Sequence, residues 1–290
     1  MRKILVQLDS DRTASAFDAI AAYDAGADVL LQYGSVEPAE VRALVHGAMF
    51  TRGGDDLKSS AVFIGGADVA KGEALLKEAV GAFFGPVRVS VMLDANGCNT
   101  TAAAAVVKLL SADDLRGEKV VVLAGTGPVG RRAAALLAKE GADVVVAETL
   151  PTETMERAKA ACDTIGERFG VQVTPAAAAG VDATRSVLDG AVGVLCTGAA
   201  GLQLIPEALW SDHATLRVLG DVNAVPPAGI EGVKPTWNGK EVGGKLLFGA
   251  LGIGELKMRV HRRSIARLFE QNDLVLDAEE ICALAQELAR

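Results

Sequence analysis

The sequence predicts an α/β protein of two domains, and three observations support this. Short runs of β-branched residues alternate with helical stretches along the chain, which favours sheets covered by helices. The 32 glycines and the low aromatic content, 4%, suit tight turns and close packing of helices on sheets. A length of 290 residues is enough for two separate cores.

A strand, a glycine-rich turn and a helix follow one another at residues 120–138. Gly125, Gly127 and Gly130 form the pattern G-x-G-x-x-G, and a second strand follows at 143–147. The first glycine permits a tight turn, the second lets the backbone approach a pyrophosphate, and the third lets the helix pack closely. This order predicts a Rossmann dinucleotide-binding domain. The residues expected to contact the cofactor here are Gly125, Thr126, Gly127, Pro128, Val129 and Gly130.

Glu148 ends the second strand of this unit. A carboxylate at this position usually accepts hydrogen bonds from the adenosine ribose 2′-OH and repels the 2′-phosphate of NADP. No Lys or Arg occurs between Thr149 and Met155, and Arg157 is expected to lie too far along the next helix to offset the charge. NAD is therefore favoured and NADP is possible. The alternative is a solvated residue at a strand end.

Two later loops follow buried strands of the same domain. The first contains Thr197 and Gly198, and the second contains Asn223 and Ala224. Loops at these strand ends commonly contact the cofactor, so these residues are expected beside its nicotinamide half. Residues 243–254 contain five glycines, which indicates backbone in close contact with either the cofactor or neighbouring chain.

The first hundred residues alternate strands and helices and predict a mostly parallel sheet. Their first helix is expected to turn Phe17, Ile20 and Tyr23 inward. The last strand of this region is followed by a polar loop at 94–101. Its side chains can serve either a heterocyclic ligand or simple turn and cap chemistry. The candidate ligand contacts in this loop are Asp94, Asn96, Asn99 and Thr101.

The C-terminal region contains a basic helix at 255–269, on which Lys257 and His261 share a face. A solvated basic face is the alternative explanation. A closing helix at 277–288 is expected to pack on the first domain. The predicted domains are 1–100 plus about 270–290, which form an α/β substrate domain, and 101–269, which form the Rossmann domain. Because no linker separates them, the ligand is expected between the two.

Charge and composition exclude several classes of protein. The net charge of −8, without a large basic block, argues against nucleic-acid binding. The sequence has no apolar run of membrane-spanning length and no secretion signal at its N-terminus, which predicts a cytoplasmic protein without a membrane partner. The four cysteines and three histidines are scattered, so neither disulfides nor a metal site is expected.

The sequence resembles a known family, the bacterial methylene-tetrahydromethanopterin dehydrogenases of methylotrophic one-carbon metabolism. The resemblance extends along almost the whole chain and includes patterns rarer than a dinucleotide fingerprint. Besides the fingerprint itself, the matching stretches are 23–28 (YDAGAD), 51–54 (TRGG), 63–66 (FIGG), 92–97 (MLDANG) with 99–101 (NTT), 223–227 (NAVPP) and 248–254 (FGALGIG).

The resemblance implies an enzyme that oxidises the methylene bridge of a reduced pterin, methylene-tetrahydromethanopterin, to the methenyl form and passes a hydride to NAD or NADP. It also implies a homo-oligomer built on a trimer. Members strict for NADP carry Arg and Lys after the second Rossmann strand, where this chain has Glu148 and Thr149. Asp94 and Asn96 are then expected to bind the pterin or its cationic product, with Asp94 and Lys257 as the catalytic candidates.

Three other functions remain open at the level of sequence. The same oxidation of methylene-tetrahydrofolate is the nearest, because no residue separates the two carriers. A non-catalytic NAD-sensing regulator is the second, although it would not need the polar loop at 94–101. A hydroxy-acid or shikimate-type dehydrogenase is the third, and it would need a proton-transfer group such as Lys257 with His261.

Overall fold

The computed structural model describes residues 1–290. Strands and helices alternate along most of the chain. The strands are β1 (Ile4–Asp9), β2 (Val29–Tyr33), β3 (Ser60–Gly65), β4 (Ser90–Leu93), β5 (Lys119–Leu123), β6 (Asp143–Glu148), β7 (Thr174–Ala177), β8 (Gly193–Cys196), β9 (Val218–Asp221), β10 (Asn238–Val242), β11 (Lys245–Phe248) and β12 (Val275–Leu276). The helices are α1 (Ala16–Asp24), α2 (Pro38–Phe50), α3 (Val69–Gly81), α4 (Cys98–Ala112), α5 (Pro128–Lys139), α6 (Thr154–Phe169), α7 (Val181–Leu188), α8 (Ala250–Arg267) and α9 (Ala278–Ala289).

The chain divides into two compact units. Unit 1 comprises Met1–Thr100 and Met258–Leu288, and unit 2 comprises Thr101–Lys257 with the last two residues. The chain returns to unit 1 at Met258, within α8, whereas the predicted boundary lies near residue 270. The reason is that the second half of α8 belongs to unit 1, where His261 bonds to Asp94.

Unit 1 is built on a five-stranded sheet in the order β12-β4-β3-β1-β2. Every pairing in it is parallel, as the alternating sequence predicts. Strand β3 is buried along its whole length, which explains its continuous apolar sequence. The short strand β12 leads into α9, so the predicted return of the C-terminus to the first domain is confirmed.

The first helix of unit 1 differs from the prediction. The large apolar residues of α1 are exposed, with Phe17 at 51% and Ile20 at 63%, and Tyr23 is exposed as well. The small residues Ala21 and Ala22 are buried instead. The small face packs inward because it allows the helix to approach the sheet closely, and the bulky face is left outside.

Unit 2 has seven strands in the order β10-β11-β9-β8-β5-β6-β7. The six from β11 to β7 are parallel and have the strand order of a Rossmann fold, so this prediction is confirmed. The order reverses between β5 and β8, which places the ligand crevice at the carboxyl ends of those strands. No helix of the protein is both long enough and apolar enough to span a membrane.

The glycine-rich segment at 243–254 serves packing and turning. Gly243 and Gly244 have φ of +55° and +74° and close the antiparallel hairpin of β10 and β11. A Cβ on Gly249 would lie 2.2 Å from the Lys234 carbonyl oxygen, and one on Gly252 would lie 2.1 Å from that of Trp237. Close chain packing therefore accounts for Gly249 and Gly252, and the hairpin turn accounts for Gly243 and Gly244.

Candidate functional site: a nucleotide fingerprint and a self-bonded polar edge

The fingerprint turn joins β5 to α5, and two of its glycines are required by packing. A Cβ on Gly125 would lie 2.7 Å from the Val122 carbonyl oxygen. A Cβ on Gly130 would lie 2.5 Å from the Cα of Gly125 and 2.7 Å from Oγ1 of Thr197. A Cβ on Gly130 would push the helix away from the turn, and one on Gly125 would push the turn away from the ends of β5 and β6. These two glycines therefore set the position of the start of α5.

Gly127 has no such reason within the protein. Its φ of −74° and ψ of 170° are open to any residue. A Cβ there would meet only the Ala124 carbonyl oxygen, at an ordinary 3.9 Å. The missing Cβ instead keeps open the space beside the first turn of α5. The N–H groups of that turn and the positive end of the helix dipole favour an anion, so the space fits a pyrophosphate.

Glu148 lies beside this turn, but its carboxylate is already bonded. Oε1 accepts from the backbone N–H groups of Thr149 and Leu150, and Oε2 accepts from the Thr126 hydroxyl and from Nε of Arg157. Burial alone would raise the pKa of this carboxyl, but these hydrogen bonds outweigh it and hold the pKa below its usual range.

The prediction that no base offsets the charge of Glu148 is wrong. Arg157 is not too far away, because its Nε lies 2.9 Å from Oε2 of Glu148. Residue 157 lies on the first turns of α6, which brings its side chain back over the end of β6. The alternative of a solvated strand-end residue is also wrong, because the Glu148 side chain is only 3% exposed.

The loops after β8 and β9 hold their predicted residues at the same carboxyl edge. The Thr197 hydroxyl donates to the carbonyl oxygens of Leu123 and Ala124, which ties this loop to the fingerprint turn. The Asn223 amide donates to the Pro227 carbonyl oxygen and accepts from the Val225 N–H. Gly198 is half-buried and Ala224 is exposed. These contacts shape the loops, and contact with a nicotinamide stays a prediction.

The loop after β9 is anchored by a buried carboxylate. Asp221 accepts hydrogen bonds from the N–H groups of Asn223 and Ile230, and burial raises the pKa of its carboxyl. Burial also raises the pKa of the neighbouring Cys196 thiol to about 12, so this thiol stays protonated at neutral pH. The Cys196 thiol is therefore not suited to act as a nucleophile.

A cavity of about 890 Å³ in unit 2 lies away from this edge. Its lining includes Lys119 and Asp143, which begin β5 and β6, together with Cys162 on α6. It therefore opens at the amino ends of the strands. Ligands of open α/β sheets bind at the opposite, carboxyl ends, and we assign no cofactor to this cavity.

In unit 1, the sequence candidate Asp94 is a buried structural acceptor. Its Oδ1 accepts from the backbone N–H groups of Asn99 and Thr100, and its Oδ2 accepts from the Thr100 hydroxyl at 2.6 Å. Oδ2 also lies 3.0 Å from Nδ1 of His261. The Asp94 side chain is 0% exposed. Asp94 thus holds the start of α4 and the His261 ring, and it has no exposed atom for a substrate.

His261 connects α8 to this cluster. Its ring is completely buried, with Nε2 3.6 Å from Oδ1 of Asp18 and with edge contacts to Phe17 and Phe63. A buried ring cannot reach a substrate, so the proton-transfer pair of Lys257 with His261 does not form a usable site. The role of Asp18 was missed because it lies within the short helix α1, where an acid looks like ordinary surface charge.

The other candidates of the loop differ in exposure. Asn96 is exposed and left-handed, with φ of +53°, at the carboxyl end of β4. Asn99 is buried, and its amide donates to the Leu93 carbonyl oxygen and to Asp277. Thr101 is half-buried on α4. Lys257 is half-buried on α8, at the residue where unit 2 passes into unit 1. Asn96 is therefore the member of the loop best placed to contact a ligand.

Comparison with known proteins identifies the family. The profile described as "Methylene-tetrahydromethanopterin dehydrogenase, N-terminal" matches residues 16–96. Two proteins of Methylorubrum extorquens match over 99% of this chain and 99% of their own. "Bifunctional protein MdtA" is 49% identical, and "NAD(P)-dependent methylenetetrahydromethanopterin dehydrogenase" is 32% identical. The chain belongs to the methylene-tetrahydromethanopterin dehydrogenase family.

Solved structures support the fold of this family member. A shikimate 5-dehydrogenase from Listeria monocytogenes, in complex with shikimate and NAD, covers 99% of this chain and 96% of its own, with a TM-score of 0.53 and 15% identity. A quinate dehydrogenase from Corynebacterium glutamicum, in complex with NAD, covers 98% of both chains with a TM-score of 0.52 and 15% identity. At this identity the likeness shows a shared dehydrogenase fold and nothing of the substrate.

Proposed function

We propose that this family member oxidises the methylene bridge of methylene-tetrahydromethanopterin to the methenyl form and passes the hydride to NAD or NADP. The proposal rests mainly on the space beside Gly127. No contact within the protein requires a glycine there, and the absence of a Cβ leaves room for a dinucleotide. The pterin is supported by the printed name of the relative that is 32% identical over the whole chain.

The chemistry needs orientation more than acid–base groups. The carbon between the two pterin nitrogens loses a hydride and becomes a cation that both nitrogens stabilise, so no proton leaves that carbon. The nicotinamide supplies the hydride acceptor when it is bound. The protein then contributes by holding the reacting groups about 3–3.5 Å apart and by offering dipoles complementary to the developing cation.

Within unit 1, we assign substrate contact to Asn96 and positioning to Asp94. The exposed Asn96 amide has both a donor and an acceptor for the pterin ring. Asp94, by its bonds to Thr100 and His261, fixes the loop that carries Asn96. Asn99 supports the same loop through its bond to the Leu93 carbonyl oxygen, and Thr101 stays a candidate for substrate contact. Lys257 stays our candidate for contact near the transferred hydride or with the polar tail of the substrate.

The nucleotide preference is also part of the proposal. Glu148 was expected to favour NAD by repelling a 2′-phosphate. Because Arg157 neutralises its charge, that repulsion is much reduced, and we propose that the protein uses both nucleotides.

A spectrophotometric assay tests the function directly. The purified protein is mixed with methylene-tetrahydromethanopterin, and the absorbance of NADH or NADPH is followed with each nucleotide. The assay is repeated with methylene-tetrahydrofolate. Turnover with the methanopterin supports the proposal. Turnover with the folate alone would show that the substrate is methylene-tetrahydrofolate instead. Tight nucleotide binding without turnover of either pterin would contradict the proposal and favour a regulator or a hydroxy-acid enzyme.

We also propose that the protein is a homo-oligomer, built on a trimer as the resemblance implies. The exposed apolar face of α1, formed by Phe17, Ile20 and Tyr23, supports association because an apolar face of this kind favours burial against another surface. Light scattering coupled to size-exclusion chromatography gives the mass, and a strictly monomeric protein would contradict the proposal. The cytoplasmic location stays a prediction.

A further inference from the structure

The end of β6 carries a charge pair in which the acid is satisfied and the base is accessible. Both oxygens of Glu148 have two donors each, from Thr126, Thr149, Leu150 and Arg157. A carboxylate offers about four lone-pair sites, so none is left for a new donor without displacing one of these. The Glu148 side chain is 3% exposed, whereas that of Arg157 is 49% exposed.

This arrangement changes what the position can recognise. The residue that ends the second strand of a Rossmann fold lies beside the adenosine 2′ position. A bare carboxylate would bond to a 2′-OH and repel a 2′-phosphate. Here the carboxylate holds a guanidinium, and the charge of the pair is zero. A ligand at this position therefore meets a partly exposed arginine instead of an open acid.

The guanidinium can bond to the acid and to a ligand at the same time. Arg157 contacts Glu148 through Nε alone. Its two terminal nitrogens carry the other N–H donors, in the planar fork that matches the oxygens of a phosphate. The bond to Glu148 also limits the conformations of the side chain, so less entropy is lost when a phosphate binds.

We propose that Arg157, held in place by Glu148, is the residue that lets this nucleotide site accept a 2′-phosphate and thus determines its use of NADP. This rests on the dinucleotide site of the proposed function, and it does not depend on which pterin is oxidised. Glu148 then acts as a positioning residue for Arg157 and not as the ribose acceptor.

Binding of the adenosine halves of the two cofactors tests this without any pterin. Isothermal titration of the full-length protein compares ADP with 2′,5′-ADP. We expect the wild type to bind 2′,5′-ADP at least as tightly as ADP. Arg157→Ala should weaken 2′,5′-ADP by roughly 10- to 100-fold, the value of a charged hydrogen bond, and change ADP by less than about threefold.

Two further variants separate charge from geometry. Arg157→Lys keeps the charge and loses the fork, so its affinity for 2′,5′-ADP should fall between the wild type and Arg157→Ala. Glu148→Gln keeps the size of the residue but loses the charged bond that positions Arg157, so the preference for 2′,5′-ADP over ADP should decrease. Arg185→Ala is the matched control, since Arg185 pairs with Asp182 on the surface of α7 in the same unit and should change neither affinity.

Several results would overturn the inference. One is a wild type that binds ADP far more tightly than 2′,5′-ADP, and another is an Arg157→Ala protein that loses both ligands equally or neither. Failure of the proposed function is distinguishable from this. A protein that discriminates the ligands through Arg157 but oxidises no pterin keeps the inference, whereas a pterin dehydrogenase indifferent to Arg157→Ala loses it.

Discussion

The carboxyl edges of the two sheets differ in what forms them, backbone in one and polar side chains in the other. In unit 2 the edge at the start of α5 is made of backbone, and a Cβ on Gly127 would meet no atom closer than 3.9 Å. In unit 1 the edge is made of polar side chains that bond to nearby chain. Asp94 bonds to α4 and to His261, and Asp11 accepts from the Ala67 N–H.

The difference teaches how far residue type alone predicts a site. Gly127 is required by neither packing nor backbone geometry, and it lies in a fingerprint turn whose spacing is typical of dinucleotide binding, so a ligand is the single reason we assign to it. A polar side chain after a strand has no such single reason, because capping and ligand binding need the same atoms. Of the four candidates in the loop at 94–101, Asp94 and Asn99 are buried and bonded within the protein, and Asn96 is exposed.

The largest effect is expected from removing the carboxylate of unit 1. Asp94→Ala leaves the Thr100 hydroxyl, two buried N–H groups and His261 without their acceptor. We expect a loss of about 3–5 kcal/mol in the free energy of unfolding, measured in urea. Asp94→Asn, which keeps one acceptor oxygen, should lose less. A stable Asp94→Ala protein that fails only to bind the pterin would instead make Asp94 a direct ligand.

A pair of glycine variants compares packing with ligand space in unit 2. Gly130→Ala forces a Cβ against the Cα of Gly125 and should cost about 1–3 kcal/mol of stability. Gly127→Ala meets no such contact and should change stability by less than about 0.5 kcal/mol. Its affinity for NAD should nevertheless fall roughly tenfold or more, because the Cβ enters the space for the pyrophosphate. Equal loss of stability in both variants would refute the distinction.

Asn96 gives a smaller effect, confined to the substrate. Asn96→Gly removes the amide and suits the left-handed backbone at this position, where φ is +53°. We expect stability to be nearly unchanged and KM for the pterin to rise roughly 3- to 10-fold, as for the loss of one neutral hydrogen bond. Unchanged pterin kinetics would remove Asn96 from the site.

The smallest effect is a pH dependence at the two buried acids of unit 2. The pKa of Glu148 is lowered from an ordinary value of 4.5. The stability that its ionisation provides is therefore present above about pH 4.5 and lost as the pH falls further. Unfolding of the wild type and Glu148→Gln between pH 3 and 7 should show a difference that shrinks at the acid end.

Asp221 supplies the opposite sign. Burial raises its pKa above the ordinary 3.8, so its contribution falls as the pH rises through the higher pKa of the folded state. Relative to Asp221→Asn, the wild type should therefore lose stability with rising pH. The same direction of change for both acids would contradict the assignments.

Much of the fold could be predicted from the sequence, because it depends on local patterns. The order of strands and helices, the Rossmann unit and the return of the C-terminus all follow from short apolar runs and turn residues. What failed depended on contacts that the spacing of residue types does not specify. The inward face of α1 was misassigned because a bulky apolar face and a small one compete for the same sheet. The hairpin of β10 and β11 was missed because its glycines resemble ligand-binding ones.

The candidate site also has a part that the sequence predicts and a part that it does not. The spacing of the fingerprint glycines is enough to predict a nucleotide-binding turn. The bond between Arg157 and Glu148 depends on how α6 leaves β6, and the bond between His261 and Asp94 spans 167 residues. No spacing in the sequence predicts either contact.

A crystal structure with NADP and the methenyl pterin bound would test the central contrast most directly. We predict that the pyrophosphate contacts the N–H groups at the start of α5, beside Gly127. We also predict that the pterin contacts Asn96 while Asp94 keeps its bonds to Thr100 and His261. A pterin bonded directly to the Asp94 carboxylate, or a pyrophosphate away from Gly127, would contradict the account.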